Sequence, residues 1–295
     1  MQPHVSLVMP ALNAERYIGA ALDSVRRAAG GLEVELILAD GGSKDATREI
    51  AAEYPFVRIL EGPDRGLYDG LNRAIAEARG SYIAWLNSDD VLYDGGLARL
   101  YKAAQLNGHA DMLTGGVSQG AALSGTAAVY PRARLSIEGL VFGIPAINAR
   151  LYKSSVFREA GPFRTDVGVG ADREFLARAV TRGIKGEAVA SPFYHYRAHE
   201  GSLTLAGDSG ARQRIWRSDV EVMRAILRMP GLSSQQAHVA ALGLTLLRFK
   251  QMLASRRRTA GADAPKAGRL ALDDYARIPA ALRRWWKWRG KIAGY

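Results

Sequence analysis

Short apolar runs alternate with segments whose apolar residues recur at helical spacing through the first third of the chain. Residues 5–9 form an apolar run stopped by Pro10, which predicts a first strand, and residues 15–29 have the spacing of an amphipathic helix. Val34, Leu36, Ile37 and Leu38 predict a second strand ending just before Asp40. Gly41-Gly42 makes a turn, and Ser43 is expected to cap a helix reaching about Tyr54. A third strand is expected at 56–60, a helix at 67–78 stopped by Gly80, and a fourth strand at 82–86. A helix at 94–107 and a fifth strand at 112–114 follow. Strands alternating with helices at this spacing predict a parallel sheet covered on both faces.

Beyond Gly120 the rhythm loosens. A helix is expected at 171–182, opening with Asp172, then one or two strands at 187–196 and two helices at 213–229 and 233–258. Residues 259–267 are small and polar, and 273–292 suit a last helix. The division that follows is a domain at 1–205, a helical extension at 206–258 and a basic, tryptophan-rich tail at 259–295.

Composition changes this picture mainly at the C-terminus. Of the net charge of +11 on 295 residues, +10 lies from Arg248 onward, where thirteen lysines and arginines face three aspartates. The stretch from Arg283 to Lys291 adds three tryptophans to those cations, a pairing suited to an anionic lipid surface. The near-neutral remainder argues against nucleic acid as a partner. There is no cysteine, which excludes disulfides, thiolate metal sites and thiol nucleophiles. No apolar stretch is long enough to span a bilayer, and from Met1-Gln2-Pro3-His4 no signal peptide is expected. The expected location is the cytoplasm, peripheral on the inner face of the membrane.

Candidate chemistry gathers where the strands end. Asn13, Asp40, Asp64 and Asp89 each follow one of the first four strands, so one sheet edge collects them, the edge where open α/β sheets bind ligands. The run Trp85-Leu86-Asn87-Ser88-Asp89-Asp90 sets two adjacent carboxylates there. Such a pair calls for a hard divalent cation, Mg2+ or Mn2+, shared with phosphate oxygens. The plainer alternative is a polar strand end.

Five segments in order resemble glycosyltransferase family 2, inverting enzymes of the GT-A fold, over about residues 5–204. They are Val8-Met9-Pro10-Ala11-Leu12-Asn13-Ala14-Glu15, the stretch from Ala39 to Thr47, the stretch from Gly62 to Asn72, Leu86-Asn87-Ser88-Asp89-Asp90, and Tyr196-Arg197-Ala198-His199-Glu200-Gly201-Ser202. The third and fourth look most like the branch that builds bacterial surface polysaccharides. The resemblance implies a GT-A nucleotide-binding α/β fold with a mostly parallel central sheet and a C-terminal helical extension. It implies that Pro10, Asn13 and Glu15 wall the base and ribose, that Asp40 receives the base, and that Arg65, Gly66 and Asn72 line the sugar-nucleotide side. Asn87, Ser88 and Asp89 stand at the family's Asp-x-Asp motif, with Asn87 in place of the first acid. Asp89 is then the main metal contact, joined by Asp90 and by His199, with Arg197 facing the diphosphate. Asp172 matches the base that takes the acceptor proton, Ala171 stands where a Glu is frequent, and Glu174 is the rival base.

The activity implied is transfer of a hexose or N-acetylhexosamine from a nucleotide sugar, a UDP-sugar favoured, to a glycan or lipid-linked acceptor. The alternatives are a nucleotidyltransferase and an inactive sugar-nucleotide-binding protein. The glycine-rich, basic loop expected of the first is missing after the first strand. No G-x-G-x-x-G stands there either, which argues against a dinucleotide-binding dehydrogenase.

Overall fold

The computed structural model describes residues 2–106, 108, 110–120, 135–142, 148–199 and 209–259. The strands are β1 (Val5–Ala11), β2 (Val34–Asp40), β3 (Val57–Leu60), β4 (Tyr82–Trp85), β5 (Val91–Leu92), β6 (Met112–Gly120), β7 (Arg150–Lys153) and β8 (Gly186–Arg197). The helices are α1 (Ile18–Ala29), α2 (Thr47–Ala52), α3 (Leu67–Ala76), α4 (Gly96–Leu106), α5 (Ile137–Phe142), α6 (Ser155–Ala160), α7 (Ala171–Thr181), α8 (Ser209–Leu227) and α9 (Ser234–Thr259). A 3₁₀ turn, Gly168–Gly170, leads into α7.

The strands form one sheet in the order β3-β2-β1-β4-β7-β6-β8-β5. The four strands expected from the N-terminal rhythm are its parallel half. The sheet is not parallel throughout, because β7 runs antiparallel to both β4 and β6, and β5 antiparallel to β8. In β1, Leu7 and Met9 pack with α1 and α4 on one face, while Val8 packs with α3 and α7 on the other. This is the period-two signature of a strand buried on both sides.

Two expected stops have a different physical basis. Pro10 does not end β1, which continues to Ala11 paired with Asp40. Val8 turns its carbonyl to Leu86 on the β4 side, and Pro10, two residues on, faces that same side beyond the last β1–β4 pair. Its missing N–H therefore costs no ladder hydrogen bond. Gly80 does not cap α3, which ends at Ala76 with Glu77 as its right-handed cap. A Cβ on Gly80 would lie 2.5 Å from the Ser6 backbone nitrogen, so glycine is needed for close approach.

The two C-terminal helices pack on each other. Ser233 opens α9 with a capping box: the Gln236 N–H donates to Ser233 Oγ, and the Ser233 N–H donates to Gln236 Oε1. From α8, Ser218 reaches the loop before α7. Its Oγ accepts the Gly170 N–H at 2.8 Å and donates to the Val167 carbonyl at 2.7 Å. The helical extension thereby props the segment that presents Asp172. The expected tail at 259–295 lies outside the described residues but for Thr259, the end of α9.

Candidate active site

The loops after β1 and β2 are laced together. Asn13 sits at φ 51°, its N–H donates to Ser43 Oγ, and its Oδ1 accepts the Lys44 N–H. The Ala14 N–H donates to Thr47 Oγ1, the Glu15 N–H to Asp45, and Glu15 accepts the Ala46 N–H at the start of α2. Ser43 is not the cap of α2, which begins only at Thr47. Its hydroxyl instead donates to Asp40 at 2.5 Å. Asp40 is 1% exposed, and it also accepts the Gly42 and Ser43 N–H groups. Much of its accepting capacity builds the loop. Pro10 is buried in β1, one residue before its end.

Beside it, Asp64 packs its carboxylate against Gly41 and Gly70, where a Cβ would lie 2.9 and 3.0 Å from Oδ2, and accepts the Gly66 N–H. Gly66 caps α3 at φ 114°, a conformation that favours glycine. Arg65, just before the α3 cap, is 86% exposed and turns to Asp69 in the first turn of α3. Asn72, expected to line the sugar-nucleotide side, turns its amide to a neighbouring loop. Its amide donates to the Phe163 carbonyl and accepts the Phe163 N–H, both at 2.8 Å, so it anchors a loop.

The two adjacent acids have separate fates. Asp90 is 3% exposed and accepts from Tyr194 OH at 2.6 Å, from Asn87 Nδ2 at 3.0 Å and from the Arg197 N–H at 2.9 Å. Burial, then the charge of Asp89, push its carboxyl up to about 6. Asp90 thus ties the β4 end to the β8 end. Asn87 bridges Trp85 Nε1–H and Asp90, accepting from one and donating to the other. An amide does both, where an ionised aspartate could only accept, which gives an asparagine a packing reason at that position. Ser88 is half-buried between them.

Asp89, by contrast, is half-buried and meets His199 Nε2 through Oδ2 at 2.9 Å, across 110 residues of sequence. Tyr17 lies against this pair. Its ring centroid is 4.7 Å from that of His199, and the Arg197 and Arg16 guanidinium carbons lie 5.0 and 5.1 Å from it.

Asp172 stands in the first turn of α7, half-buried, and desolvation raises its carboxyl to about 6. The adjacent Arg173 sends its guanidinium to Asp219 of α8 at 2.6 Å. Tyr68 of α3 holds the loop before Asp172 by donating to the Val169 carbonyl at 2.9 Å. Glu174 is 3% exposed and gives both oxygens to Arg178, which also grips the carbonyls of Ala160 and Pro162. That geometry separates the two candidate bases.

The profile of the family described as Glycosyl transferase family 2 matches residues 6–138. A PGL/p-HBAD biosynthesis glycosyltransferase of Mycobacterium bovis is 31% identical over 184 residues, covering 60% of this chain and 69% of that protein. The chain belongs to glycosyl transferase family 2. The putative glycosyltransferase EpsH of Bacillus subtilis is 28% identical over 218 residues, 68% of this chain and 62% of that one. Among solved structures, S. aureus TarS in complex with UDP-GlcNAc superposes with a TM-score of 0.63 at 18% identity, over 97% of this chain and 79% of that one. The mannosyltransferase PcManGT of Pyrobaculum calidifontis, in complex with GDP-Man and Mn2+, gives 0.61 at 17% identity, over 98% and 85%. Both likenesses establish the GT-A fold.

For a glycosyltransferase of this family the fit of a divalent cation is testable on the donor set. Among the described residues no three His, Asp or Glu side chains converge on one point. Asp89 and His199 do converge, and Mg2+ or Mn2+ needs only one or two protein donors when phosphates and waters fill the rest. The residues fit. Sequence reasoning missed Tyr17, Tyr194 and Tyr68. Tyr17 had a signal, standing two residues after Glu15 of the first matching segment, but its spacing also suits the buried face of α1.

Proposed function

We propose that this chain is an inverting, metal-dependent glycosyltransferase. It moves a hexose or N-acetylhexosamine from a nucleotide sugar to a glycan or lipid-linked acceptor in cell-surface polysaccharide assembly. The observation that carries the reading is the pairing of Asp89 with His199, while a different carboxylate, Asp172, sits desolvated on α7. One pole suits a diphosphate with its cation and the other suits a proton acceptor.

Asp89 and His199 would hold the cation, which when bound stabilises negative charge on the departing diphosphate as a Lewis acid. Arg197 adds a fixed positive charge beside them. The laced loops of Asn13, Glu15 and Ser43 receive the nucleoside, with Asp40 below. Asp172 takes the proton of the acceptor hydroxyl as its oxygen bonds to the anomeric carbon and the bond to the diphosphate breaks on the opposite face. A single displacement inverts the anomeric centre. Asn72 acts at one remove by fixing the loop at Phe163.

The departures from the family pattern do not favour an inactive protein. Asn87 has a packing reason, and Ala171 is fully buried among apolar residues, where a glutamate would be desolvated.

A thermal-shift screen tests the reading. The neighbours bound to UDP-GlcNAc and GDP-Man make UDP- and GDP-sugars the first candidates, with dTDP-sugars as a third class. One nucleotude class is expected to raise Tm by about 5 °C at saturation, with Mn2+ and not with EDTA. A screen in which no nucleotide shifts Tm, or in which the shift ignores metal, overturns it.

We also propose that the basic tail meets anionic lipid, on its charge and tryptophans alone. No described helix is long and apolar enough to cross a membrane. Full-length protein should pellet with phosphatidylglycerol vesicles, and protein truncated after Arg258 should stay in solution. Equal pelleting of both defeats the idea.

A further inference from the structure

The contacts of Tyr17 are unusual for a residue that only starts a helix. Its backbone belongs to the loop after β1, where its N–H donates to the Ala14 carbonyl and its own carbonyl accepts from Ala21 of α1. Ala14 is in turn held by Thr47, so the ring is rooted in the laced pair of loops. The ring itself faces the other half of the site. Arg197, at the end of β8, and His199, just past it, both lie against the ring, at 5.0 Å from guanidinium carbon to centroid and 4.7 Å between ring centroids.

The β8 end is therefore held at two kinds of point. Asp90 fixes its backbone through the Arg197 N–H, and Tyr17 meets the two side chains. The negative face of an aromatic ring attracts a guanidinium and stacks on an imidazole. Both distances are measured to the ring, and both attractions are properties of its π face.

We infer that Tyr17 is a positioning residue that sets Arg197 and His199 for the diphosphate and its cation, and so couples the nucleoside-binding loops to the phosphate pole. This rests on the reading of Asp89, His199 and Arg197 given under Proposed function. Tyr17 touches no reacting atom. It acts through the two side chains it stacks on, and the π face, rather than apolar bulk, is what counts.

Isothermal titration of the full chain with UDP, with Mn2+ or with EDTA, reads the coupling. Tyr17→Leu keeps apolar bulk without a π face, and should weaken Mn2+-dependent UDP binding about tenfold while leaving Tm within a few degrees. Tyr17→Phe keeps the ring and should rescue most of that loss. In a His199→Ala background the same leucine substitution should cost markedly less, since part of what Tyr17 positions is already gone. Leucine binding UDP as tightly as tyrosine, phenylalanine failing to rescue, or full additivity with His199→Ala each overturns the inference. If the unmodified protein itself binds UDP without regard to Mn2+, the reading of the phosphate pole falls, and Tyr17's role with it. A metal-dependent wild type with an indifferent Tyr17→Leu removes Tyr17 alone.

Discussion

Asp172→Asn is expected to lower kcat by about 10²- to 10⁴-fold, the usual contribution of a positioned general base, while donor affinity stays within about twofold. The amide keeps the shape of the side chain and loses only its ability to take a proton. The pH dependence of the unmodified enzyme carries the same signature. With the Asp172 carboxyl raised to about 6 by burial, kcat/KM should fall with unit slope as pH drops below that value. Stability should move the other way. A carboxyl raised in the folded state binds its proton more tightly there than in the unfolded chain. Folding stability contributed by this group is then present at low pH and is lost as pH rises toward about 6. The buried Asp90 adds a term of the same sign. Asp172→Asn removes this cost, so at pH 7.5 the variant should be more stable, by on the order of 1–3 kcal/mol, with the gain shrinking toward pH 4. Glu174→Gln provides the contrast. It should lower Tm, because the Arg178 that pairs with Glu174 loses its counter-charge in a buried setting. Pre-steady-state turnover with thermal melts from pH 4 to 8 checks both. Undiminished turnover in Asp172→Asn would remove this residue from the chemistry.

Asp89→Ala should abolish the metal-dependent part of donor binding. Loss of a residue that merely orients a metal ligand typically costs 10- to 100-fold, and loss of a ligand itself should exceed about 100-fold. Binding measured in EDTA should be unaltered. The adjacent position behaves differently. Asn87→Asp creates the two-acid motif of the family, yet it is expected to harm the fold rather than improve the site. A carboxylate at 87 still accepts from Trp85 but has no proton to give Asp90, and it adds a second charge beside a buried acid. A cost of about 1–3 kcal/mol follows, seen as a lower Tm, with no gain in Mn2+ affinity. A stable Asn87→Asp variant that binds Mn2+ more tightly would show that Asn87 faces the cation after all.

The legible parts of this protein are those that depend on local pattern. The parallel half of the sheet, with its intervening helices, follows from apolar periodicity, and the helical pair α8 and α9 was equally plain. β7 was not legible, because four residues wedged antiparallel between β4 and β6 leave no periodicity of their own. The two-residue β5 and the six-residue α5 and α6 escaped for the same reason. Within the site, residue types at strand ends pointed to the right edge of the sheet, but not to which groups remain available there.

By itself, the amino-acid order determined the succession of elements, the family, and the collection of Asn13, Asp40, Asp64 and Asp89 at one edge, since each is a property of a short window of chain. Only the tertiary structure decided how those groups are used. Asp40 is engaged by its own loop, Asp90 by Tyr194 and the Arg197 backbone, Asn72 by Phe163 and Glu174 by Arg178, whereas Asp89 meets His199, and Asp172 is reached by the Arg173 backbone N–H and Tyr68 while the Arg173 guanidinium goes to Asp219. The physical reason is hydrogen-bond satisfaction. Whether a carboxylate is structural or available depends on which donors reach it, and for Asp90 and Asp89 those donors arrive from more than a hundred residues away.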